Sequence, residues 1–122
     1  MTPPEFIRLV VDQFYQQAKA DILIVYHFRH IADFDEHLPR IYAFWEIQLL
    51  GATTATLVMP LDVINAHVPL KIKTGEVNRW VKLFRKTLAA QAPLDEHGLT
   101  EKWEQKLAHF QQVFLGTPRL FA

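Results

Sequence analysis

The stretch over residues 59–88, MPLDVINAHVPLKIKTGEVNRWVKLFRKTL, narrows the fold more than any other part of the chain. In its second half Val77, Trp80, Val81, Phe84 and Leu88 recur at the three- and four-residue steps that align one face of an α-helix. Its first half is a short apolar helical segment over 60–67 that ends in His67. Pro69 halts that segment, because proline lacks a backbone donor and pushes the residue before it out of helical geometry. Thr74 and Gly75 open the long helix, and it ends before Pro93. Such a helix must bury its apolar stripe against neighbours of the same kind.

The rest of the chain supplies those neighbours. Thr2, Pro3 and Glu5 form a helix start, with a capping box and a proline at the first helical position. Behind it Phe6, Ile7, Val10, Phe14 and Ala18 share a face, with Tyr15 at its edge. DILIVYHF over 21–28 is rich in β-branched residues but has no partner of similar pattern, and reads as a short helix or turn. Asp33 or Asp35 caps the next helix, whose stripe is Leu38, Ile41, Tyr42, Trp45 and Leu49; Pro39 lies near enough to the start to be tolerated. Gly51 ends it, and ATTAT over 52–56 is a connector of low helix propensity. A last helix over about 100–115 buries Trp103, Leu107, Phe110 and Phe114, with Gly116 as its stop. The expectation is one all-α domain over residues 1–122, with about four substantial helices and two short ones.

Composition removes several classes of function. Lys+Arg and Asp+Glu stand at 13 each, so no net charge draws the chain to nucleic acid or a membrane surface. There is no cysteine, which rules out disulfides, thiolate metal sites, thioether-linked cofactors and cysteine catalysis. The apolar runs are broken by charges well short of a membrane span, and the N-terminus lacks a signal layout. These features predict a cytoplasmic protein without nucleic-acid or membrane partners. Nine Phe, three Trp and three Tyr give the core enough aromatic surface to wrap a flat apolar ligand.

Six histidines carry the remaining chemistry. His27 and His30, three apart in a connector, read as solvated surface residues; a shared metal would need a third ligand that no helical spacing supplies. His97 lies beside Gly98 in a loop, and His109 neighbours Phe110, so both read as structural or exposed. His67 lies among Leu61, Ile64 and Val68. From pattern alone a satisfied core histidine is the leading reading. The alternative is a ligand to a metal, with the second ring N–H donated to a backbone carbonyl of the preceding turn. One imidazole cannot hold iron by itself, so that alternative requires a porphyrin to fill the other positions. His37 falls on the core-facing stripe at its solvent end, where it is either a half-exposed histidine or a gate over a cavity. Tyr15 and Trp80 lie on apolar faces, and their O–H and N–H need partners if buried.

Taken in order along the chain, these pieces resemble a group III truncated haemoglobin. The matching segments are Phe14-Tyr15, Phe28, EHLPRIYAFW over 36–45, Leu49-Leu50-Gly51, His67-Val68-Pro69-Leu70 and RWVKLF over 79–84. The resemblance covers roughly residues 5 to 115. TTATLVM over 53–59 departs from it, lacking the Tyr and Gly residues usual there.

The resemblance implies a two-over-two helical sandwich around haem b (iron protoporphyrin IX). By position His67 resembles the iron ligand, and Tyr15, His37 and Trp80 resemble residues facing the ligand side. Phe28 resembles the phenylalanine packed on the haem, and Arg40 the basic partner of a propionate. Ile41, Trp80 and Phe84 are further expected contacts. The expected activity is reversible binding of O2, CO or NO, with ligand scavenging or redox chemistry. A peroxidase or nitric oxide dioxygenase side activity would need a separate reductase. With four scattered glycines the chain carries no flavin or nicotinamide fingerprint. The competing expectation is a cofactor-free helical module that binds a partner through one face.

Overall fold

The computed structural model describes residues 1–30, 34–51 and 67–121. Among these, four α-helices carry the chain and no strand forms. They are α1 (Pro3–Ala20), α2 (Phe34–Leu50), α3 (Thr74–Gln91) and α4 (Leu99–Leu115), joined or followed by 3-10 turns at Val25–His30, Val68–Leu70, Ala92–Leu94 and Pro118–Leu120. The protein is all-α, as its periodicity predicts. The connector over 52–56 and most of the short segment over 60–67 lie outside the described residues, as does the expected cap Asp33.

Local chemistry sets the helix ends. Thr2 Oγ1 accepts the Glu5 N–H at 3.3 Å and the Glu5 carboxylate reaches back to the Thr2 N–H at 3.4 Å, completing the expected capping box. Gly51, with φ +77°, ends α2 in the left-handed conformation that glycine adopts without a side-chain penalty. Lys102 Nζ covers one of the orphan carbonyls there, donating to Leu49 O at 2.8 Å. At the start of α4 the Asp95 carboxylate accepts the N–H groups of Leu99 at 2.9 Å and Thr100 at 2.8 Å, and the Thr100 hydroxyl at 2.9 Å. Burial works against that charge, but these donors and the His97 N–H outweigh it and hold the carboxyl below its usual range.

Helix α3 lies between α1 and α4, and α2 packs on both α1 and α4. The stripes meet in an aromatic core. The Trp45 ring lies 5.4 Å from Phe84 and 5.2 Å from Trp103, and Phe84 lies 5.5 Å from Trp103. Phe6, Ile7, Val10, Phe14 and Ala18 of α1 close it on one side, and Leu107 and Phe110 of α4 on the other. Fully burying aromatic and aliphatic side chains of this size contributes about 1.5–3 kcal/mol each. A second, smaller cluster joins Ile72, Val77, Phe114 and Leu120.

Helix α2 is buried more completely than its stripe predicts. Ala43, Phe44, Trp45 and Glu46 are all inaccessible, because α1 and α4 cover it from two sides. Tyr42, on the predicted stripe, is half-buried and donates its hydroxyl to Asp12 of α1.

Candidate functional site

Between the two clusters lies a cavity of about 210 Å³. Six segments line it: Tyr15 from α1; Ile24, His27 and Phe28 from the turn that follows; His37 and Ile41 from α2; His67, Leu70 and Ile72 ahead of α3; Glu76, Val77 and Trp80 from α3; and Phe114 from α4. Six residues singled out from the sequence line this one cavity: Tyr15, Phe28, His37, Ile41, His67 and Trp80.

Aromatic contacts position them. Phe114 is the platform. The Trp80 ring stacks parallel to it at 6.0 Å and 7°, and the His67 ring meets it edge-on at 5.0 Å. Tyr15 stands edge-on to Phe14 at 4.9 Å and to Phe28 at 5.9 Å, so α1 and the 3-10 turn form one corner. Burial pushes the Tyr15 phenol well above its ordinary value, so it keeps its proton and acts as an O–H donor. His37 is exposed, at the rim, where the sequence places it.

Two expected contacts fall elsewhere. Phe84 is 1% exposed and absent from the wall; it lies behind Trp80, within the aromatic core. Its stripe position is right, but one helical turn beyond Trp80 carries it past the cavity's end. Arg40 is half-buried and also off the cavity lining, and its Nε is buried with no hydrogen-bond partner among the described residues.

His27 overturns its reading as a surface histidine. It is 8% exposed, and its Nε2 lies 2.6 Å from Glu76 Oε2. Glu76 sits in the first turn of α3, where a helix terminus favours negative charge. Its other oxygen accepts the Lys73 N–H at 2.8 Å. Beside this pair, Arg79 donates to Asp21 Oδ2 from Nη2 at 2.6 Å and from Nε at 3.0 Å. Those bonds lower the Asp21 carboxyl against the opposing effect of burial. Among the described residues no three His, Cys, Asp or Glu side chains converge as a metal-binding group. No described helix is long and apolar enough to cross a membrane.

Comparison with protein-family models, with curated proteins and with solved structures gives no match in any of the three.

Proposed function

We propose that this protein is a haem-binding protein of the truncated-globin type that takes up O2, CO or NO. What supports the reading is convergence. Residues 15, 28, 37, 41, 67 and 80, drawn from separate segments through the resemblance, line one cavity. A core assembled for stability alone has no reason to bring two imidazoles, a phenol and an indole to the same apolar cavity.

The donor set fits the cofactor. His67 offers an imidazole among apolar rings, Phe28 and Trp80 offer faces for a macrocycle, and His37 stands at the rim where polar substituents meet water. Haem, when bound, would supply the open coordination position at which a diatomic ligand attaches. The chain's own part is to hold and select that ligand. Tyr15 stays protonated and donates a hydrogen bond, Trp80 supplies a second donor through its indole N–H, and the apolar wall excludes water. Two donors favour retention or redox conversion over easy release, so scavenging is a better fit than transport. The two-over-two arrangement of the helices belongs to the same proposal.

One observation favours the competing reading of a cofactor-free interaction module. The cavity, at about 210 Å³, is smaller than the 300–1,000 Å³ typical of small-molecule sites. Titration of the purified chain with haemin separates the two. The haem reading expects a Soret band that saturates at one equivalent and is lost or shifted in His67→Ala. No saturable band, or an identical spectrum and affinity in His67→Ala, refutes it.

A further inference from the structure

The two polar pairs join opposite walls of the cavity. One wall is the strap over residues 21–28, which contributes Ile24, His27 and Phe28; the other is the first two turns of α3, with Glu76, Val77 and Trp80. The strap is a short 3-10 turn entered through Asp21, whose Oδ1 accepts the Leu23 N–H at 3.0 Å. Ile24 N–H reaches Asp21 O at 3.3 Å and His27 N–H reaches Ile24 O at 3.2 Å, although Val25 N–H makes a good bond to Asp21 O at 2.8 Å. Such 3-10 turns have poorer hydrogen-bond geometry than α-helix. Ile22 and Leu23 project into solvent, 86% and 55% exposed, and add little packing.

Charge ties this segment to α3. The Asp21 and Glu76 side chains are only 7% and 11% exposed. Removing one partner from such a pair strands a largely desolvated group, so these pairs hold more strongly than exposed ones. The other walls are anchored differently. Tyr15, Ile41 and Phe114 ride on α-helices, and Ile72 is packed into the smaller cluster.

We propose that residues 21–28 form the movable wall of the cavity, latched to α3 by Asp21–Arg79 and His27–Glu76, and that release of this latch admits a ligand larger than the closed cavity. The proposal rests on the cavity being the binding site, and it does not require that the ligand be haem. Asp21, Glu76 and Arg79 are thus positioning residues: they set how far and how often the wall opens.

The test uses the full chain without added ligand, with acrylamide as the probe. Of the three tryptophans, Trp45 and Trp103 are buried in the core and Trp80 lines the cavity. Asp21→Asn and Glu76→Gln are each expected to raise acrylamide quenching of Trp80 by about threefold or more, as expected when a local opening becomes easier. Trp80→Phe should abolish the increase. Amide exchange should quicken in a peptide spanning 21–30 and stay unchanged in α4. The double variant D21R/R79D restores the pair with its charges exchanged and should return both readouts to the parent values. Unchanged quenching in both single variants overturns the proposal. So does faster exchange throughout the molecule, or a folded double variant that remains as open as the single ones. Haem binding and latch function are read independently, so either can fail alone.

Discussion

Replacing Tyr15 by Phe removes the hydroxyl oxygen from the cavity lining. The ring keeps its edge-on contacts with Phe14 and Phe28, which involve only carbon edges and faces. Because burial raises the phenol's pKa, the parent residue is an O–H donor throughout the ordinary working range. A hydrogen bond to a strongly polar acceptor contributes about 1.5–3 kcal/mol. Losing it should therefore speed oxygen release by about 10- to 150-fold. Stopped-flow displacement of oxygen by CO in the haem-loaded protein measures this rate directly. The ratio of the variant and parent rates should be flat between about pH 5 and 9, since the donor does not titrate there. The reasoning fails if Tyr15→Phe releases oxygen at the parent rate while Trp80→Phe accelerates it.

Two further outcomes concern stability. Phe84→Ala should cost about 3–5 kcal/mol, the usual loss for emptying an aromatic site in a core. With a urea slope of about 1–3 kcal/mol/M this lowers the unfolding midpoint by roughly 2 M. The Soret position of protein that remains folded should not move, whereas a shifted band would place Phe84 against the cofactor. Asp21 and Asp95 are both held below the usual carboxyl range. Their stabilising contribution is therefore complete above the unfolded value of about 3.9 and is lost as pH falls through the lower folded values. The thermal midpoint should be flat above about pH 5 and drop below about pH 4, with a shallower drop in Asp95→Asn. An equally steep drop in that variant contradicts the assignment.

Local features were legible in the amino-acid sequence. The capping box of Thr2 and Glu5 and the stripes of α1, α3 and α4 depend on spacings of three or four residues, so one helix is enough to reveal them. All-α architecture followed from those stripes. The convergence of His67, Tyr15, His37 and Trp80 was legible only through resemblance, since the segments are far apart in the chain. Two features escaped. His27 looked solvated because the carboxylate that covers it is 49 residues away, on another helix. Glu46, fully buried, was no part of the predicted stripe, which assumed one polar face toward water. A helix covered from two sides has no such face, and nothing in its own spacing announces the second neighbour.

Helix α3 serves two masters. Its opening turns, at positions 76, 77 and 80, border the cavity, while Leu83, Phe84 and Leu88 further along are sunk in the aromatic core. Chemistry and ballast are thus written on one rigid rod, in separate stretches. Natural variation can exchange the first stretch to suit a new ligand while the second keeps the molecule folded, and a lineage of such proteins would diverge fastest at the cavity end of this helix.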